Sequence, residues 1–534
     1  MPAWLAAIIV ASGVASGAAG CAPVSAAGLG DGVTTPLKDI YQQWPSYESQ
    51  MQGDFATGAM FADINGDGYP DLVVANGNDM SPQPLVIYLN HCNDHNSTCF
   101  GPYPDYYSSD SDYLGGIAIG DIDHDGWLDV AVSVVFDKNR HTSGGGVKIY
   151  HNLRGQLEVS PSQQLGHMGV FGCALADVNA DGQLDLVFPG FGLPAGSGAP
   201  GPRLFTAPRR SWQPEPLQIH LNEGGRFAAK PTWQSSNEMF ATGVAVADLD
   251  QDGWMDVAVA GIQTFVYRGG PPRQPGVVPI DPAPAWTSET DRAPAMFVDA
   301  GRIGDGKPLT LAVSRGCFPG DSHCRGDFVL YRPADGTAPV WRSVPADHSS
   351  LLLLADLNQD GLLDMVAGQW GDEIVGAPLW MFQGRRTGFH TEPDFATAAV
   401  RGFPSGLAVS EGLAVADTRK RATCPRSLRW VASAAGAVVT LPERQVAAVL
   451  GVEVGGQSLP ATDWAFATGN NWISLAQPYT AGTTVNIRYL ASSVQDLIEA
   501  TWNPQRGNLL YNSFLTPVRC HGVAGSTPHQ ENQP

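Results

Sequence analysis

Five nonapeptides in this chain carry oxygen-bearing side chains at a spacing that suits a divalent cation: DINGDGYPD from Asp63, DIDHDGWLD from Asp121, DVNADGQLD from Asp177, DLDQDGWMD from Asp248 and DLNQDGLLD from Asp356. Each reads D-x-[DN]-x-D-G-x-x-D. Calcium takes six to eight oxygen ligands, and alternate positions 1, 3 and 5 of a tight loop turn three side chains toward one point, with glycine at position 6 permitting the sharp turn. The expected side-chain ligands are Asp63, Asn65, Asp67 and Asp71 in the first loop; Asp121, Asp123, Asp125 and Asp129 in the second; and Asp177, Asn179, Asp181 and Asp185 in the third. The fourth supplies Asp248, Asp250, Asp252 and Asp256, and the fifth Asp356, Asn358, Asp360 and Asp364. Position 7, occupied by Tyr69, Trp127, Gln183, Trp254 and Leu362, is expected to add a main-chain carbonyl. One such loop alone would read as a solvated turn, since Asp, Asn and Gly favour turns for their own reasons. Five copies of one pattern predict about five bound calcium ions. An EF-hand is excluded because its closing Glu stands at position 12 between helices, whereas the final acid here is at position 9.

Strands must position these loops. GAMFAD, GIAIGD, CALADV and GVAVAD precede them, and DLVVANG, DVAVS, DLVFPG, DVAVAG and DMVAGQ follow. Short runs rich in Val, Ala and Leu between turn residues read as buried strands, so each loop joins two neighbours in a sheet. A third strand recurs in LVIYLN, GVKIYHN, LQIHLNEGG, TFVYRGG, FVLYRPADG and LWMFQG. Gly58, Gly116, Gly172 and Gly243 each stand five residues before the first Asp, and Phe55, Tyr113 and Phe240 three residues before that glycine. The pattern resembles the FG-GAP/VCBS repeat family, whose Phe-Gly and Gly-Ala-Pro elements bracket a calcium loop in propellers of the integrin α-subunit type. The resemblance covers residues 35–424 and implies an all-β fold, a seven-bladed β-propeller. Two weaker units complete that count, one at Asp299 and one at Asp417, which keeps Gly412 at the same offset of five. Packing the sheets radially buries faces that a lone sheet would leave uncovered.

Composition agrees with a turn-rich β protein: the 534 residues include 62 Gly and 41 Pro and are 43% hydrophobic. The formal net charge of −21 argues against nucleic acid as a partner. Five divalent ions, adding ten positive charges, would bring it to −11. Residues 1–20 read as an export signal, with Cys21 as a candidate lipidation site in Ala18-Ala19-Gly20-Cys21, although Ala18 replaces the usual Leu and the segment lacks Lys and Arg. The expected location is the periplasm, the cell surface or the medium, with membrane contact only through a lipid at Cys21. Export favours disulfides, for which spacing suggests Cys92 with Cys99, Cys317 with Cys324 and Cys424 with Cys520, leaving Cys173 a buried thiol. His91, Cys92, His95 and Cys99 could form a zinc cluster, but the disulfide reading suits an exported chain better.

Residues 425–520 lack the acidic motif and show VVTLP, AAVLGVEVGG, DWAFATGNNWISLA and GTTVNIRYLA, which predict a small immunoglobulin-like β-sandwich. A disordered tail, 521–534, is expected to follow. Arg325-Gly326-Asp327 is a chance-level tripeptide in a chain of this length, and Trp127 and Trp254 read as packing residues rather than sugar platforms. The sequence carries no linear motif of a hydrolase nucleophile, a metalloprotease or a P-loop. Two function classes follow: a non-enzymatic binding or adhesion module for protein or glycan, or a polysaccharide lyase or hydrolase whose acid and base come from different blades. A structural role in an envelope assembly is a third.

Overall fold

The computed structural model describes residues 35–515 apart from 51–54, 79, 93–98, 137–144, 167, 192, 195–211, 291–292, 305–307, 317–325, 346–348, 372–376, 400–407 and 502–505. The expectations for residues 1–20, Cys21, His95, the Cys317/Cys324 pair, Arg325, Cys520 and the tail 521–534 fall outside the described residues. Helix among the described residues is confined to the turn Leu37–Ile40 and two short 3-10 segments, so the fold is all-β.

Five antiparallel sheets of four strands follow one another along the chain. The first contains Ala56–Ala62, Asp71–Asn76, Leu85–Tyr88 and Tyr106–Tyr107, and the second Tyr113–Gly120, Asp129–Phe136, Gly146–Tyr150 and Gln163–Leu165. The third contains Ala174–Ala176, Asp185–Phe188, Glu215–His220 and Trp233–Met239; the fourth Ala241–Ala247, Asp256–Gly261, Thr264–Tyr267 and Trp286–Thr287; and the fifth Ala295–Arg302, Leu309–Arg315, Asp327–Tyr331 and Trp341–Arg342. An eight-stranded sheet then holds two arms. In one, Ser349–Ala355, Asp364–Gly371, Trp380–Phe382 and Phe395–Ala396 repeat the earlier order. In the other, which we call the closing arm, Ala408–Ala416 pairs with Asp496–Thr501, which pairs with Leu509–Tyr511, which pairs with the N-terminal Tyr47–Glu48. Arg506 and Glu48 form an ion pair beside that last seam.

The second strands Asp71–Asn76, Asp129–Phe136 and Asp256–Gly261 are buried at every residue, as the continuous apolar runs predict for strands covered on both faces. Each leading strand lies against the next one along the chain, and Ala408–Ala416 lies back against Ala56–Ala62. The glycines five residues before the loops permit that approach. A Cβ on Gly58 would stand 2.6 Å from the Gly115 carbonyl oxygen, and one on Gly172 would stand 2.8 Å from that of Thr242. Such distances leave no room for any side chain.

Two sequence expectations are corrected here. In the fourth sheet Ala247 pairs with Asp256, the ninth loop residue, and the equivalent pair in the fifth sheet is Gly301 with Thr310, because both sheets place the same bulge at their far end. Arg302, not Asp299, therefore stands at the first loop position, and Thr310 at the ninth. Asp299 lies inside the strand, where Arg444 binds it at 2.6 Å. The second correction concerns the expected 425–520 domain. Residues 423–492 form two antiparallel sheets, Thr423–Val431 with Thr484–Ser492, Ala448–Val454 and Gln457–Ser458, facing Gly436–Thr440 with Trp472–Tyr479 and Trp464–Ala465. Val439, Val452, Ile473 and Ile487 fill the space between them. Residues 496–511, however, belong to the closing arm. The two-sheet region is thus an insertion between Asp417, which follows Ala416, and Asp496, which pairs with Ala416.

Candidate metal centre

The five acidic loops share one hydrogen-bond scheme. The position-6 N–H donates to the position-1 carboxylate: Gly68 to Asp63 at 2.7 Å, and Gly126 to Asp121, Gly182 to Asp177, Gly253 to Asp248 and Gly361 to Asp356 at 3.0 Å. The position-5 N–H donates to the position-3 side chain, at 2.9 Å for Asp67 on Asn65 and 3.2 Å for Asp125 on Asp123. The N–H of Tyr69, Trp127, Gln183, Trp254 and Leu362 donates to the position-5 Asp at 2.8–3.0 Å. Backbone geometry enforces this curl: position 4 is left-handed in every loop, including the non-glycine residues His124, Ala180, Gln251 and Gln359 at φ of 57–65°. Left-handed backbone is unfavourable for residues with a Cβ and persists where surrounding structure over-determines it.

Position 9 plays a second part. One oxygen of Asp71, Asp129, Asp185, Asp256 and Asp364 accepts the position-2 N–H, and the other accepts an N–H at the end of the third strand, from Asn90, Asn152, Asn222, Gly269 and Gly384 respectively. This residue clasps the loop to its sheet. The asparagines also tie neighbouring loops together, because Asn152 Nδ2 donates to the Ile64 carbonyl, Asn222 Nδ2 to that of Ile122, and Asn90 Nδ2 to that of Thr418, each at 2.8 Å.

The arrangement gathers more negative charge than the chain's own donors absorb. Oδ1 of Asp63, Asp121 and Asp248 is buried without a hydrogen-bond partner. The ligand atoms of Asp121, Asp123 and Asp125 lie within 4.8 Å of one another, as do those of Asp248, Asp250 and Asp256. Burial, aided by neighbouring carboxylates, pushes Asp121 and Asp248 up to about 6 and Asp177 and Asp356 up to about 7. Asp71 rises to about 6 and Asp256 to about 8, again chiefly through burial. A buried carboxylate oxygen with no donor is costly unless a cation meets it. An all-oxygen donor set in a glycine-bent loop fits a hard divalent ion.

The loops divide by their third residue. Where it is Asn, its amide donates to the position-5 Asp: Asn65 to Asp67 at 3.1 Å, Asn179 to Asp181 at 2.9 Å and Asn358 to Asp360 at 3.0 Å. Where it is Asp, a basic side chain at the end of the third strand faces it. Arg268 lies 3.1 Å from Asp250, and His151 Nδ1 lies 3.8 Å from Asp123 and 3.4 Å from Asp129, which holds the imidazole above its ordinary pKa. The corresponding residues beside the first, third and fifth acidic loops are Leu89, Leu221 and Gln383.

The two remaining positions do not fit an ion. In the fifth sheet, Arg302 and Thr310 replace the outer acids and glycine stands at 304. In the closing arm, the Arg421 guanidinium lies between Asp417 at 3.3 Å and Asp496 at 2.5 Å and also donates to the Ser513 carbonyl at 2.6 Å. A side-chain cation therefore bridges the first and ninth positions of the interrupted loop. Sequence reasoning missed Arg421, Arg268 and His151 because each comes from outside the nonapeptide. The recurring terminal Asn of LVIYLN, GVKIYHN and LQIHLN was the one visible signal for the inter-loop ties.

Of the cysteine expectations, Cys92 and Cys99 are joined, Cys173 is a free buried thiol and Cys424 is disulfide-bonded. Among the described residues no helix is long and apolar enough to cross a membrane. The FG-GAP-like repeat family matches residues 49–132, which contain the loops at Asp63 and Asp121, and residues 204–259, which contain the loop at Asp248. The matched segments are FG-GAP-like repeats, and they contain the three loops whose first acids carry the partnerless oxygens.

Proposed function

We propose that this protein is an exported, calcium-loaded β-propeller of seven blades that serves as a non-enzymatic binding module for a protein or glycan ligand. The observation that carries the calcium reading is the set of buried, partnerless Oδ1 atoms on Asp63, Asp121 and Asp248, each in a loop of further oxygen donors. Asp63 to Asp71 and the four equivalent sets would hold one ion each, with Tyr69, Trp127, Gln183, Trp254 and Leu362 offering main-chain carbonyls. The bound ion supplies charge neutralisation and cross-links strands. The seven-blade count is supported by the succession of leading-strand contacts, which returns from Ala408–Ala416 to Ala56–Ala62, and by the seam of Tyr47–Glu48 on Leu509–Tyr511.

A binding role suits a scaffold whose acids are consumed by cohesion. The described loop carboxylates face one another and main-chain N–H groups, and the buried Glu499, pushed up to about 7 by burial, is held by Ser410 and by Tyr511 at 3.0 Å. FG-GAP repeats commonly mediate protein binding. The test incubates calcium-loaded protein with immobilised polysaccharides and extracellular-matrix proteins, scoring both retention and release of new sugar ends. Retention that disappears with a chelator, without release, is the expected result. Release of sugar ends that requires the protein would overturn the non-enzymatic reading.

A further inference from the structure

Three of the acidic loops are not free, because the insertion between Asp417 and Asp496 rests on them or on the strand that leads into them. In the fourth sheet's loop, the Gly253 carbonyl accepts the N–H of Ala437 at 2.8 Å and of Val438 at 3.0 Å. The N–H of the same peptide group, on Trp254, donates to Asp252 at position 5, and the Gly253 N–H donates to Asp248 at position 1. The contact tolerates no side chain: a Cβ on Gly253 would stand 2.9 Å from the Gly436 Cα. Trp254 packs with Ala180 and Ala437. In the third loop the equivalent Gly182 faces the insertion, where a Cβ would stand 2.9 Å from the Thr462 carbonyl oxygen. In the second sheet, Thr468 N–H donates to the Ile119 carbonyl at 2.9 Å, and Gly120, next to Asp121, pairs with Ala467.

The underside of the insertion is apolar where it meets these loops. Val438, Ala465, Ala467 and Trp472 share one core with Leu175, Leu184, Val246 and Met255 of the third and fourth sheets. At its root the insertion is held differently, by Arg421 between Asp417 and Asp496, a joint that needs no ion.

We propose that ions in the second, third and fourth loops seat the inserted region, so that calcium removal loosens it from the second, third and fourth sheets while the Arg421 joint and the Arg444–Asp299 ion pair to the fifth sheet keep it tethered. The inference rests on the calcium reading of the loops. The physical link is short: an ion fixes Asp248 and Asp252, those carboxylates fix the two peptide groups around Gly253, and one of these holds Ala437 and Val438. Without the ion the loop carboxylates repel one another, and the peptide orientations that the insertion requires are no longer enforced. Loosening would uncover the apolar strip of Val438, Ala465, Ala467 and Trp472, giving a surface that responds to calcium concentration.

Hydrogen-exchange mass spectrometry on the full chain, with calcium and with a chelator, tests this. The expected result is at least about tenfold faster exchange at 435–440 and 464–472 on chelation, while Thr484–Ser492 inside the insertion stays protected. Asp248→Asn in calcium should reproduce the effect at 435–440. Asp356→Asn, in a loop where a Cβ on Gly361 would meet nothing within 4 Å, should not. If calcium protects the five loops but 435–440 and 464–472 exchange equally with and without it, the proposal fails and the calcium reading stands. If calcium changes nothing anywhere, both fail.

Discussion

Replacing Arg421 should destabilise the protein by removing charge compensation rather than bulk. Its guanidinium bridges Asp417 and Asp496, whose side chains are 1% and 0% exposed, and it caps the Ser513 carbonyl. Breaking a buried pair by deleting one partner costs about 3–5 kcal/mol, because the other charge is left uncompensated. The Arg421 side chain is 20% exposed, so water screens part of the interaction, and we expect about 3 kcal/mol for Arg421→Met. Equilibrium urea unfolding of the full chain measures the loss, and it should be the same in calcium and in chelator, since this joint holds no ion. Adding Asp417→Asn and Asp496→Asn to Arg421→Met should restore more than half of it, because no buried charge then remains. A triple variant as unstable as the single one would show that the guanidinium acts through shape. A loss that calcium abolishes would show that the joint is a metal site after all.

The acidic loops predict opposite pH responses with and without the ion. Raised carboxylate pKa values stabilise the ion-free fold below the unfolded value near 4, and that contribution is lost as pH rises through about 6 to 8. Chelated protein should therefore melt lower at pH 8 than at pH 5, whereas calcium-loaded protein should melt higher at pH 8, because protons compete with the ion; thermal scans at both pH values check this. Each site at a hundredfold excess over its Kd should contribute about 2.7 kcal/mol, so chelation at pH 8 should lower the melting temperature markedly. Arg268→Leu removes a half-exposed guanidinium 3.1 Å from Asp250 and should tighten the fourth loop's cation affinity about two- to tenfold, with a steeper salt dependence. Terbium luminescence sensitised by Trp254 in a Trp127→Phe background reads that loop, and weaker binding would mean that Arg268 positions Asp250 instead.

Local chemistry made the loops legible in the sequence. A hard cation demands acids at alternate positions and glycine at the bend, and closely packed leading strands demand glycine five residues earlier, so both demands appear as short regular strings around Gly58, Asp63 and Gly68. The fifth sheet was misread because substitution erased those strings. With Arg302 and Thr310 at the outer positions, the nearest acid, Asp299, gave steps of 51 and 57 residues where the register gives 54 and 54. The insertion was illegible for another reason. Asp417 and Asp496 are first and ninth residues of one loop but stand 79 positions apart, and no local periodicity connects them. The strands of 496–511 follow the insertion directly along the chain and fall inside the range 425–520 expected for a separate domain, although they are buried throughout where the insertion's Thr484–Ser492 alternates. Arg268 and His151 reach the loops from a different strand, so only the fold brings them to Asp250 and Asp123.

The most direct test is to count bound ions by elemental analysis of protein equilibrated with calcium and freed of excess. Five per chain is the expected result, falling to four in Asp248→Asn and staying at five in Asp417→Asn. No bound ion would contradict the account outright, and seven would show that the positions at Arg302 and Arg421 hold ions as well.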